Sequence, residues 1–256
     1  VDLLVLVGLL VPVGLQVMEI ALYLFYYFHV QLLSSMQIYL DLLLAYRALF
    51  VKNLNNFPLS CNTIYLSNNP IRSLVGIKQK KAAYLEVSIT NIKNLEGCPE
   101  IVTSLTITYV DDFNSLKGNL KKINTNGNLI IQECSLSSLD NFPSIEQGVL
   151  INLGNNKITS LLGMPTKCHH LNINSNQLKT LIGCPTHITG NFRCKYNNLE
   201  DLDGFPTVID GDCIMTLSPI FNNQLMMQRS YFERELHKRC RISGVVRLSD
   251  PRNIQI

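Results

Sequence analysis

Charge is scarce in this 256-residue chain: Asp, Glu, Lys and Arg make up 16% of it, and they nearly cancel to a net +3. So small an excess gives no ground for a nucleic-acid or other polyanionic partner, which Lys and Arg would have to hold. No N-x-S/T sequon occurs, and the N-terminal stretch has neither a basic n-region nor a small-residue cleavage site, so nothing marks a secretory signal. A phosphate-cradling Gly-rich loop, an H-E-x-x-H and any recognisable nucleophile motif are also missing. These gaps lower the expectation of an enzyme and turn attention to what the 46% of hydrophobic residues builds.

The first fifty residues stand apart. Leu3 to Met18 and Ile20 to Leu40 contain no Asp, Glu, Lys or Arg, and only Glu19 separates the two runs. A run of 21 residues is enough to cross a hydrocarbon core about 30 Å thick. Yet the longer run includes His29, Gln31, Ser34, Ser35 and Gln37, and the shorter one carries Pro12 and Gln16. Residues 1–50 are therefore expected to be an apolar helical segment, either a membrane anchor or a cap on the rest of the chain, or else upstream sequence ahead of a start at Met18. As an anchor, with Arg47 and Lys52 behind the run and Asp2 before it, the segment would leave residues 51–256 in the cytoplasm.

From residue 51 to 222 the chain repeats itself. The fullest copies begin at Leu139, Leu162 and Leu181, and a leucine closes each unit: Leu54, Leu74, Leu95, Leu116, Leu139, Leu161, Leu181 and Leu202, at steps of 20 to 23 residues. Within each unit two apolar residues alternate with exposed ones, as in Ile64 and Leu66, Leu105 and Ile107, Ile151 and Leu153, Leu171 and Ile173, or Phe192 and Cys194. Period two means a short strand with one buried face.

Three residues on come Asn69, Thr90, Val110, Cys134, Asn156, Asn176, Asn197 and Ser218; a buried Asn there can bond the backbone of neighbouring turns as a ladder. A further inward residue comes next (Ile71, Ile92, Leu136, Ile158, Leu178, Leu199), then the closing leucine, then Gly or Asn, an apolar residue and Pro, as in Gly97-Cys98-Pro99 or Gly183-Cys184-Pro185. Gly permits the bend and Pro keeps a helix from crossing it. In two units Lys78 to Lys81 and Asn119 to Lys122 replace this bend, which leaves their outer loops open while keeping their strands.

The pattern L-x-L-x-x-N-x-L resembles the leucine-rich repeats over about two-thirds of the chain. The L-x-G-C-P phrase, whole at Leu181 to Leu199, is similar to repeat proteins of large tailed bacteriophages and some bacteria, and more loosely to the Pro-bearing repeats of bacterial effectors. The effectors' ubiquitin-ligase domain does not fit in the 34 residues after Asn222. The resemblance implies a leucine-rich-repeat solenoid, with short parallel strands on one face and turn-rich outer loops. To this the sequence adds apolar N-terminal helices and, over residues 223–256, a basic helical C-terminal cap or tail with seven Arg or Lys against three Asp or Glu. It also implies a non-enzymatic protein-binding module, with a virion component or a membrane-anchored receptor-like protein as the alternatives. The expected location is the cytoplasm or a virion.

Eight cysteines are scattered through the chain, several at positions where Phe or Met also occurs, so they read as buried reduced thiols. Cys168, His169, His170, Cys184, His187 and Cys194 come close in the repeat but match no metal spacing, and no metal or cofactor is expected of them. The candidate contact face is the outward side of the strands, with a protein partner expected there. Its middle column reads Tyr65, Glu86, Thr106, Ile130, Asn152, Asn172 and Arg193; the next reads Ser67, Ser88, Thr108, Gln132, Gly154, Asn174 and Lys195, with Tyr109 and Tyr196 alongside. Of these, Tyr65, Tyr109, Asn152, Asn172, Asn174, Arg193, Lys195 and Tyr196 are the candidate partner-binding residues.

Overall fold

The computed structural model describes residues 44–45, 51–55, 57, 61–216 and 228–249, all within one compact unit spanning 42–256. In chain order its strands are β1 (Leu44–Ala45), β2 (Thr63–Tyr65), β3 (Lys81–Ser88), β4 (Ile101–Val110), β5 (Lys122–Cys134), β6 (Ser144–Ile145), β7 (Leu150–Asn152) and β8 (Lys167–Cys168). Beyond these lie β9 (Leu171–Asn172), β10 (His187–Ile188), β11 (Phe192–Cys194), β12 (Val208–Ile209), β13 (Cys213–Thr216), helix α1 (Gln228–Arg239), β14 (Arg241–Ile242) and β15 (Val246–Ser249). The result is a parallel β-solenoid, each coil laying its strand on that of the coil before.

The main sheet runs β1-β2-β3-β4-β5-β7-β9-β11-β13-β15, every pair parallel. Ile151 pairs with Leu171, and Leu171 with Phe192, so equivalent residues of successive units stack directly. The alternating pairs from Ile64 and Leu66 to Phe192 and Cys194 are all inside, none more than 1% exposed. Each such side chain contributes about 1.5 to 3 kcal/mol when withdrawn from water, and it does so against its counterparts in neighbouring coils. The closing leucines and the turn residues Ile71, Ile92, Leu136, Ile158 and Leu178 complete the same core.

The repeat pattern predicts irregular loops on the outer side, but a second parallel ladder lies there. Strands β8, β10, β12 and β14 form their own sheet, and in the earlier coils the first residues of β3, β4 and β5 pair likewise with one another and with β6 through Lys81, Ile101, Lys122 and Ser144. Its inward column is Ala82, Val102, Ile123, Cys168, Ile188 and Ile209, all buried. The two units lacking the Gly-apolar-Pro phrase therefore keep ordered outer segments, because Lys81 and Lys122 sit in paired strands. Gly76 also takes the left-handed bend (φ 118°), with Ile77 N–H donating to Leu74 O at 3.2 Å.

The bend after the closing leucine brings successive coils close together. At Gly97 (φ 85°) and Gly183 (φ 93°) an added Cβ would lie 2.3 Å and 2.6 Å from backbone atoms of the coil beneath. At these two positions only a residue without a side chain lets the coils meet, whereas the coil after Leu139 makes the bend with Asn141 (φ 65°).

Two expectations need correcting. Part of the 1–50 segment is solenoid, since Leu44 and Ala45 pair with Ile64 and Tyr65; the rest of the apolar N-terminal segment lies outside the described residues. The C-terminal helix α1 is not a terminal cap. After it β14 pairs with β12 and β15 with β13, so another coil closes beyond the helix. Cys213 to Val246 is a step of 33 residues where Phe192 to Cys213 is 21, and the 12 residues of α1 account for the excess. Among the described residues no helix is long and apolar enough to cross a membrane.

Candidate functional site

Strand register carries the outward columns across the sheet without a break. Tyr65 lies beside Glu86, then Thr106, Ile130, Asn152, Asn172, Arg193, Ile214 and Arg247. Because successive side chains on a strand alternate, these residues must face away from the core that their neighbours fill.

At the N-terminal end Tyr65 packs its ring 5.2 Å from that of Tyr84, whose hydroxyl donates to Glu86 Oε2 at 3.2 Å. Ser67 Oγ donates to the other carboxylate oxygen at 2.7 Å. In the middle the face is an amide network. Asn152 Nδ2 donates to Gln132 Oε1 at 2.8 Å, while its Oδ1 accepts the Gly154 amide at 3.1 Å. Asn172 Oδ1 accepts from Asn174 N–H at 3.1 Å, and Asn174 Oδ1 from Lys195 N–H at 2.7 Å. Those carbonyl oxygens are thus committed to bonds within the face. Toward the C-terminal end the columns turn basic with Arg193, Lys195 and Arg247; the last lies 3.5 Å from Asp212.

Tyr109 and Tyr196 occupy a different line, the residue just before the ladder position. The described coils from β2 to β11 hold that residue in the left-handed region: Asn68, Ile89, Tyr109, Glu133, Asn155, Ser175 and Tyr196 have φ between 53° and 60°. Asn tolerates this conformation; a β-branched or bulky residue carries a cost of about 1 kcal/mol or more. Ile89, Tyr109 and Tyr196 are nevertheless 56%, 58% and 46% exposed. Ile89 is not among the residues that sequence reasoning singles out, although its place directly before Thr90 of the predicted ladder marks it.

The candidate metal cluster is dispersed into other roles. His169 Nδ1 lies 3.0 Å from Thr189 Oγ1, and His170 Nδ1 accepts the Asn191 amide at 2.8 Å. His187 Nε2 bonds Asp210 Oδ2 at 2.8 Å, an interaction that holds the Asp210 carboxyl below its ordinary pKa. Cys168, Cys184 and Cys194 point into the core, and burial pushes the Cys168 and Cys194 thiols up to about 12. Among the described residues no three His, Cys, Asp or Glu side chains gather to hold a metal ion.

A shallow depression on the outer side is lined by Ile77, Lys80, Cys98 and Glu100, but its thiol, at about 12, carries no appreciable thiolate at neutral pH. Two basic residues of the C-terminal segment pair with carboxylates of the coil before: Arg239 reaches Asp203 at 3.8 Å and Arg241 reaches Asp210 at 3.1 Å.

Compared with protein-family models, curated proteins and solved structures, the chain matches none.

Proposed function

We propose that the chain is a leucine-rich-repeat protein of the L-x-G-C-P kind and that it works without catalysis, holding a protein partner against the outward face of its main sheet. The register carries this reading: one uninterrupted parallel sheet sets Tyr65, Asn152, Asn172 and Arg193 in a single column. A continuous array of this sort offers extended contact rather than the enclosed cavity that acid–base chemistry favours. Tyr196 and Arg193 supply the side-chain types that most often anchor interfaces, and Asn174 and Lys195 lie beside them.

The test is affinity capture with the full chain as bait, beside Arg193→Glu and Tyr196→Ala variants. Loss of a specific partner from both variants is the expected result. If every specific partner stays bound to both, the face is misassigned.

A further inference from the structure

The left-handed column contains a contradiction that its geometry does not resolve. The repeat requires positive φ at this position, and Asn68 and Asn155 meet the requirement with a residue type that tolerates it. In the two adjacent coils of β3 and β4 the position holds Ile89 and Tyr109 instead. These side chains do not repay the conformation by packing, since both lie more than half in solvent. They are neighbours, for Ile89 N–H donates to Thr108 O at 3.1 Å and Ser88 pairs with Thr108 in the ladder. Together they make a short apolar ridge along the margin of the sheet.

Beside the ridge the chain sets negative charge. Between Val110 and Phe113 it inserts Asp111 and Asp112, one residue more than the neighbouring coils place between Thr90 and Ile92 or Cys134 and Leu136. Both aspartates are exposed. Glu133 is the next member of the left-handed column after Tyr109, and its charge and that of Asp111 both reach the Cys134 thiol, which burial chiefly holds up at about 11. Against these three carboxylates the turns carrying Ile89 and Tyr109 set one cation, Lys93.

We infer that the Ile89–Tyr109 ridge, with Asp111, Asp112 and Glu133 at its border, is a second docking surface, and that its occupant is a basic protein segment bearing apolar anchors. Apolar side chains of that segment lie on Ile89 and Tyr109, and its Lys or Arg residues meet the carboxylates. The inference rests on reading the molecule as a protein-binding module, but it concerns a margin separate from the column that contains Arg193.

The probe is a fluorescein-labelled peptide in which Arg and Leu alternate, with a Glu–Leu peptide of equal length as its counterpart, titrated against the full chain by anisotropy. The Arg–Leu peptide is expected to bind, more weakly as salt is raised, and the Glu–Leu peptide not to bind. The double variant Ile89→Asn/Tyr109→Asn should weaken binding about tenfold, the loss of one good anchor. Since Asn suits the left-handed backbone, its thermal midpoint should hold or rise, which excludes misfolding as the cause. Asp111→Asn/Asp112→Asn should weaken binding by a similar factor. Arg193→Glu should leave the peptide affinity unchanged or slightly improved.

Absence of Arg–Leu binding, equal binding of the two peptides, or undiminished affinity in the ridge variants overturns the inference. None of those outcomes touches the strand-face reading, which stands or falls on the capture experiment with Arg193→Glu.

Discussion

In the coils built on β7, β9 and β11 the turn after the main strand is closed by Asn156, Asn176 and Asn197, whereas those built on β3, β4 and β5 place Thr90, Val110 and Cys134 there. Asn176 shows what the first group gains. Its Nδ2 donates to Leu153 O at 3.0 Å and reaches Ile173 O and Asn174 O, while its Oδ1 accepts the Ile158 amide at 3.0 Å. Cys134 imitates this with one weak donor, its Sγ lying 3.3 Å from Gln132 O and 3.8 Å from Ile107 O. Thr90 Oγ1 is buried with no partner.

The second group compensates with backbone. β3, β4 and β5 run for 8, 10 and 13 residues, where β7, β9 and β11 run for 3, 2 and 3. A long ladder joins both sheets in one strand and keeps its coils in place without the amide column. The two regions show that a solenoid coil can be fixed either by a side chain that bridges turns or by main-chain pairing along a longer edge.

The largest expected effect tests what the two regions share. Gly97→Ala and Gly183→Ala each drive a Cβ into the coil beneath and should each cost about 4 kcal/mol in urea unfolding. A much smaller loss in one region would mean that its bend is made differently. Next comes the contrast itself. Asn176→Ala should cost about 3 kcal/mol, because it strands buried backbone groups, while Cys134→Ala should cost about 1 kcal/mol. Equal losses would remove the distinction.

Thr90→Asn should go the other way and gain about 1 kcal/mol by extending the column from Asn69.

The smallest effect is one of pH. His170 must keep Nδ1 unprotonated to accept the Asn191 amide, and burial, with His169 and Arg193 nearby, lowers its pKa from 6.5. Below 6.5 the unfolded chain therefore takes up protons that the folded chain resists. Stability should be level above that pH and decline as it falls through the window beneath. His170→Asn, which keeps an acceptor as Asn191 does one coil later, should remove that part of the decline.

The strands, their inward residues and the amide column were legible because each is written as a residue type at a fixed place in a repeating phrase. The outer ladder was harder to see. Its inward members Ile123, Cys168 and Ile188 are single apolar residues flanked by polar ones, and Val102 and Ile209 each stand beside just one more apolar residue, too short a run for period two to appear within one unit. The coil after α1 escaped for another reason. Arg241-Ile242-Ser243-Gly244 repeats Val208-Ile209-Asp210-Gly211, but the inserted helix moves it off the 21-residue step. At the candidate face the columns could be read, whereas the internal commitments of Asn152, Asn172 and Asn174 could not. They depend on which amide of the next coil each oxygen meets.

At the junction between the two short strands of a coil, an acceptor repeatedly waits for the next coil. Asn62 Oδ1 takes the Ala83 amide, His170 Nδ1 that of Asn191, Asn191 Oδ1 that of Asp212, and Asp212 Oδ1 that of Val245. In every one of these bonds the later segment donates and the earlier one accepts. The edge left by one coil is thus already shaped to receive the amide of the coil that follows, so a further coil can be added without rebuilding the one beneath it.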